Sequence, residues 1–178
     1  MPECPVIGVR LVQDGTETLR VPRRVNRPAI AAAVFAELLA DRDRETVATL
    51  LLATSRRPLG LHIVSVGALD AAPVHPREVF KAAVLANAAS LIIAHNHPSG
   101  DLAPSRADHE MLRRLAGAGA LLGIRVLDYI IVGTGGVYWS AQAGLHAKDV
   151  RVSIDADSRI ARAIRYSFAI AEFAPRLV

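Results

Sequence analysis

The 178-residue sequence is 52% hydrophobic and 21% charged, which suits one globular domain with a real core and excludes disordered and fibrous classes. No apolar run reaches the roughly 20 residues needed to span a bilayer, so no membrane partner is expected. The net charge of +4 is compatible with nucleic acid as a partner, but only 4% of residues are aromatic, which weighs against a base-stacking single-strand binder.

The opening Met1-Pro2-Glu3-Cys4 carries no basic segment followed by an apolar core, so a secretory signal is not expected and the cytoplasm is the expected compartment. Cys4 is the single cysteine, which rules out an internal disulfide and a zinc site built on paired thiolates. Residues 5–27 form a candidate hairpin, with Val and Leu alternating on either side of the Asp14-Gly15 turn signal. Pro28 opens a helix through "PAIAAAVFAELLADRD". "ETVATLLLAT" then reads as a mostly buried strand beginning at Glu45, and "LGLHIVSVG" as a second strand close enough to pair with it. Pro76 starts a helix that runs to about Asn87, and "SLIIA" is the next strand. "SRADHEMLRRLAGAGALLG" is a helix ending in glycines, "IRVLDYIIVG" a strand, and "GGVYWS" a short one. Helices and strands interleave, which predicts an α/β layer architecture around a mixed sheet. From about Gly144 the pattern changes, and "DSRIARAIRYSFAIAEF" reads as an amphipathic helix, either solvated on its arginine face or a surface for a homodimer. The chain thus divides into an extension at 1–27, a main domain at 28–145 and a C-terminal extension at 146–178.

The densest chemistry lies in "IIAHNHPSGDLAPSRADHE". Residues i and i+2 of a strand share a face, so His95 and His97 can present their rings together while Asn96 points away. The Pro98-Ser99-Gly100 turn and a helix starting after Ser105 can bring Asp108 back over them. Two nitrogens, one carboxylate and a place for water match the donor set of catalytic zinc. Ser105 and Asp108 taken alone read better as a helix capping box, since Ser at the cap and an acid three residues later satisfy free backbone N–H groups; the combination with the two histidines at this spacing favours a metal site. His62 and His146 lack partners in sequence, His109 follows Asp108 but faces a different side of its helix, and His75 before Pro76 serves the helix start. Asp101 either orients a ligand or is a solvated turn acid, and Asn96 fixes the turn.

"HNHPSGDLAPSRAD" resembles the JAMM (MPN+) metalloprotease signature His-x-His-x7-Ser-x2-Asp, and in particular its RadC-like branch, with the similarity running from about Pro28 to Leu145. The resemblance implies a three-layer α/β/α, cytidine-deaminase-like fold, a Zn2+ ion on His95, His97 and Asp108, and Ser105 beside the reacting water. Deamination itself is excluded at the motif level, because the deaminases need a Pro-Cys-x-x-Cys pair that this chain lacks. The resemblance further implies a glutamate from an earlier strand as general acid/base. Glu45, entering an apolar strand after Arg44, matches that position; Glu78, in the first turn of a helix, is the alternative. Zinc would lower the pKa of water to about 7, Glu45 would move its proton, and Ser105 would donate to the developing oxyanion.

The expected activity is hydrolysis of a peptide or isopeptide bond in a peptide or protein substrate. The alternative is a DNA-repair or mobile-element interaction module whose metal is structural. A metal-dependent nuclease is disfavoured because the acids are too few for a two-metal clamp. Two departures from the RadC-like pattern stand out. The late strand carries Asp128-Tyr129 where Asp-His is usual, and the helix-hairpin-helix region that often precedes the domain is not found, so the resemblance does not by itself support a DNA-directed role.

Overall fold

The computed structural model describes residues 8–12, 19, 21–67, 74–133, 137–142, 150–151 and 165–166. Helix α1 (Pro28–Leu39) leads to strands β1 (Thr46–Leu52) and β2 (Pro58–Val66). Helix α2 (Pro76–Leu85), β3 (Ser90–Asn96), α3 (Arg106–Leu122), β4 (Arg125–Val132) and β5 (Tyr138–Ser140) follow. The five strands make one mixed sheet in the order β2-β1-β3-β4-β5, in which β3 and β4 are parallel and the other neighbours antiparallel.

Every residue of β1 and β3 is buried, as expected for strands covered on both faces. Alternation along the strands sends their side chains into two cores. Ala48, Leu50, Leu52, Ile92, Ala94, Ile130 and Val132 pack with the alanines and Phe35 of α1 on one face. Val47, Leu51, Leu91, Ile93, Tyr129 and Ile131 pack with Val79, Phe80 and Leu115 from α2 and α3 on the other. The architecture is therefore the α/β layer arrangement expected of the interleaved pattern, in the three α/β/α layers that the resemblance implies. Each fully buried Leu or Ile contributes about 1.5–3 kcal/mol, so the Leu91-Ile92-Ile93 run makes β3 a rigid support for whatever its C-terminal end carries.

Local chemistry explains the helix ends. Pro28 and Pro76 occupy the first turns of α1 and α2, where a missing N–H is no loss. His75 caps α2, its Nδ1 accepting from Arg77 N–H at 3.2 Å. Helix α3 runs through the glycines of "LAGAGALLG" and stops at Gly123, whose φ of +68° suits a residue without a Cβ. Gly119 has a different reason: a Cβ there would lie 2.5 Å from the Ile124 carbonyl oxygen, so only hydrogen lets the start of β4 cross the helix so closely.

Two expectations need correction. Within 5–27, residues 8–12 and 21–26 carry no strand, and the Asp14-Gly15 turn lies outside the described residues. Among the described residues, Val9, Leu11 and Val12 are 70%, 51% and 74% exposed, while Val25 is buried. At the other end, Arg165–Tyr166 pairs antiparallel with Val150–Arg151 where a helix over 157–173 was expected; the remainder of that segment lies outside the described residues, and with it the expected homodimer surface.

Asp128 ties β4 to β5. Its carboxylate accepts hydrogen bonds from Ser140 Oγ at 2.6 Å and from the Tyr129 and Gln142 amides at 2.8 Å each. Burial outweighs these bonds and raises the carboxyl to about 6. Below about pH 4 both folded and unfolded chains hold this proton; between pH 4 and 6 only the folded chain does, so the contribution falls as pH rises. Asp128→Asn is therefore expected to gain about 2 kcal/mol relative to the parent chain between pH 4.5 and pH 7. Urea unfolding of both chains across that range measures it, and a difference independent of pH would refute the assignment.

Candidate metal centre

The C-terminal end of β3 is where the two cores meet polar groups. His95 lies on the α2/α3 face and is fully buried, and His97, one residue past the strand, is held in line by its N–H to Val132 O at 3.0 Å. His95 and His97 thus present Nε2 atoms 2.7 Å apart. Gly100, at φ +80°, turns the chain, and its N–H donates to His97 O at 2.9 Å. The chain then enters α3, where Asp108 sits in the first turn. Its Oδ1 lies 3.4 Å from His95 Nε2 and its Oδ2 4.0 Å from His97 Nε2. Three donor atoms from His95, His97 and Asp108 fall within 4.8 Å of one another.

Hydrogen-bond partners fix which atoms face the cluster. His97 Nδ1–H donates to the Asp101 backbone carbonyl. Tyr129, 1% exposed on β4, donates its hydroxyl proton to Asp108 Oδ1 at 2.8 Å, and so accepts from His95 Nδ1–H at 2.9 Å. Burial, and after it the Asp108 charge, push the Tyr129 phenol well above its ordinary value, so this proton stays in place. Both histidines consequently aim Nε2 lone pairs at one point. Lone pairs facing each other at 2.7 Å need a shared proton between them, or a metal ion that parts them to about 3.4 Å. Burial pushes His95 down to about 4, which keeps it neutral and available as a ligand at pH 7.

Asp108 completes the set. Ser105 N and Ser105 Oγ both donate to its Oδ2, at 2.7 and 2.6 Å, while Asp108 N donates back to Ser105 Oγ at 3.1 Å. Capping box and donor cluster are thus one device, and the two alternatives open at the level of sequence coexist. Burial alone would raise this carboxyl, but the Ser105 hydrogen bond, the adjacent His95 and the Tyr129 hydroxyl together hold it below the usual aspartate range. Its Oδ2 has both lone pairs occupied by Ser105, which leaves Oδ1 to face an ion. Tetrahedral ligands about 2.1 Å from a metal stand about 3.4 Å apart, which is the His95 Nε2 to Asp108 Oδ1 spacing. The two-nitrogen, one-carboxylate set fits a divalent cation.

Glu45 and Glu78 have different settings. Glu45 precedes β1, a quarter of its side chain is exposed, and its Oε1 is 3.9 Å from His95 Nε2. Burial first, then Asp108, raise its carboxyl above the usual value, with His97 opposing. Glu78 lies on the surface, paired with Lys81 at 2.7 Å and Arg77 at 3.3 Å, and this pairing lowers its carboxyl.

What brings Glu45 to the cluster is Asn96, which points to the α1 side. Its Oδ1 accepts from Thr46 N–H at 2.8 Å, and its Nδ2 donates to the Arg42 and Arg44 carbonyls at 3.2 and 3.1 Å. These bonds flank Glu45 on both sides and fix a segment fifty positions away, beyond the turn role expected of this residue. Asn96→Ala would leave the buried Thr46 N–H without its side-chain acceptor and take one donor each from the Arg42 and Arg44 carbonyls, and a loss of about 1–3 kcal/mol is expected. Denaturant melts of the two chains measure this; a difference under about 0.5 kcal/mol would show that Asn96 does not hold the segment. Asp101 acts through its backbone carbonyl on His97, its carboxylate instead accepting from Ala103 N–H at 2.9 Å.

A three-layer α/β/α sheet with a His-His-Asp cluster where the central strand meets the next helix defines a domain of the JAMM/MPN fold. Comparison with known families matches the RadC-like JAB domain over residues 25–145, and the chain belongs to that family. A UPF0758 protein of Trichlorobacter lovleyi is 46% identical over 139 residues, covering 78% of this chain and 59% of the relative. A UPF0758 protein of Thermosynechococcus vestitus is 44% identical over 131 residues (72% and 50%), and one of Desulforudis audaxviator 50% identical over 109 (61% and 47%). The chain spans about half the length of these curated relatives. Among the described residues no helix is long and apolar enough to cross a membrane.

Proposed function

We propose that the chain is a zinc-dependent hydrolase of the JAMM type that cleaves a peptide or isopeptide bond by water attack. The observation that carries this reading is Glu45: a carboxylate with a raised pKa, 3.9 Å from His95 Nε2, beside a donor cluster that three residues complete without it.

Zinc on His95, His97 and Asp108, when bound, supplies a Lewis acid that lowers the pKa of water to about 7 and polarises a substrate carbonyl. Glu45 takes a proton from the attacking water and delivers it to the departing amine. Its raised pKa lets the same group hold the proton between the two transfers. Ser105 Oγ, which donates to Asp108 Oδ2, turns toward the developing oxyanion, while Ser105 N–H continues to hold Asp108. Asn96 keeps Glu45 in register with both histidines. The proposed partner is accordingly a peptide or protein. Nucleic acid is supported only by the net charge.

A second reading makes the metal structural and the domain an interaction module of a DNA-repair or mobile-element complex. It is favoured by the capping box, since an ion on Asp108 would chiefly fasten the start of α3 to β3. A panel of fluorogenic peptides and isopeptide-linked substrates separates the two. Cleavage lost with a chelator and restored by zinc is the expected result. A zinc-loaded chain that cleaves none of them favours the structural metal.

A further inference from the structure

Tyr129 sits on β4, paired with Ile93 in the parallel β3–β4 ladder, two residues before the partner of His95. Its side chain reaches forward along the face shared with His95, the ring centroids 5.3 Å apart, and ends between two members of the donor cluster. A hydroxyl both donates and accepts at one atom, which a phenylalanine, an amide nitrogen or a single imidazole nitrogen cannot do in the same place. Here the oxygen donates to Asp108 Oδ1 and accepts from His95 Nδ1–H.

We infer that Tyr129 is the positioning residue of the metal centre: its hydroxyl selects the His95 tautomer and aims the ion-facing oxygen of Asp108 at the same point. Without it, His95 has no buried acceptor for Nδ1–H and can place its proton on Nε2, the atom that must be bare to bind an ion. Asp108 Oδ1 also loses its restraint, because Ser105 holds only the opposite oxygen. One oxygen therefore couples β3 to α3 through β4, and controls two of three ligands without touching the ion itself. The inference rests on the cluster binding a metal and is independent of whether it hydrolyses anything.

The test uses the full chain freed of metal, with Tyr129→Phe and Tyr129→His beside the parent. Zinc affinity is read by competition with a chromophoric chelator, ligand geometry by the visible spectrum of the Co(II)-loaded chain, and folding by near-UV circular dichroism without metal. The Phe chain is expected to bind zinc about 10- to 100-fold more weakly, with an altered Co(II) spectrum. The His chain, able to keep at most one of the two contacts, falls between. A variant that folds, binds zinc like the parent and gives the same Co(II) spectrum overturns the inference. If the parent chain itself takes up no zinc, the failure belongs to the metal reading instead.

Discussion

His97→Ala is expected to take the zinc content of the purified chain from about one equivalent to less than about a tenth. The change leaves one imidazole and one carboxylate, and two protein ligands cannot compete with water for the ion. It also removes the only convergence of lone pairs in the cluster, the 2.7 Å approach of the two Nε2 atoms. Because His97 is partly exposed beyond the end of β3, its loss opens no cavity in either core, so folding should survive. The two chains should also differ in their response to added metal. An ion at 1,000 times its dissociation constant stabilises the folded state by about 4 kcal/mol, which for a domain of this size raises Tm by roughly 10 °C. That rise is expected in the parent and absent in His97→Ala. Elemental analysis and thermal melts with and without zinc measure both quantities, and a parent chain with neither zinc nor a zinc-dependent Tm would remove the metal centre from consideration.

Glu45→Gln is expected to abolish hydrolysis while leaving the metal in place. The amide keeps the size and one acceptor oxygen of the carboxylate but cannot carry a proton, and general acid–base catalysis of this kind is worth about 10²–10⁴-fold. Glu45 stands outside the three-ligand set, so zinc content should match the parent chain. Since burial holds the Glu45 carboxyl above its usual value, parent activity should rise with pH through that elevated pKa, and the glutamine chain should lack the rise. Glu78→Gln serves as the control, because its carboxylate is engaged with Lys81 on the surface and should leave rate and profile unchanged. Retention of activity within about twofold by Glu45→Gln, at full zinc, would assign the proton transfer to another group.

The order of elements was legible because their patterns differ: the short continuous apolar run of "SLIIA" fits a strand buried on both faces, and the helical spacing of "PREVFKAAVL" a helix. The His95, His97 and Asp108 cluster was legible for a related reason, since strand geometry and a tight turn are local facts. Tyr129 was not. It was visible only as a departure from the usual Asp-His, because its partnership depends on the parallel register of β3 and β4, which places it 34 positions from His95 and 21 from Asp108. A tyrosine within the apolar run that ends β4 was the available signal, as a buried hydroxyl must find a partner. The reach of Asn96 was hidden in the same way, its partners lying across an antiparallel ladder on the other side of the sheet.

That ladder has a wider meaning for how the centre can be altered. In the β1–β3 pairing Val47 faces His95 and the Thr46 amide bonds the Asn96 side chain, so His95, Asn96 and His97, at and just past the end of β3, serve two sides of the sheet at once. Sliding β1 by a single residue would turn Glu45 toward α1 and strand its carboxylate in an apolar layer, while Asn96 would lose the amide it captures. The proton-transfer group and the ligand pair therefore behave as one mechanical part, assembled when two strands zip together and inseparable afterwards. Length changes in the Ala53–Arg57 connection are compatible with it, and a one-residue insertion within Thr46–Leu52 is not.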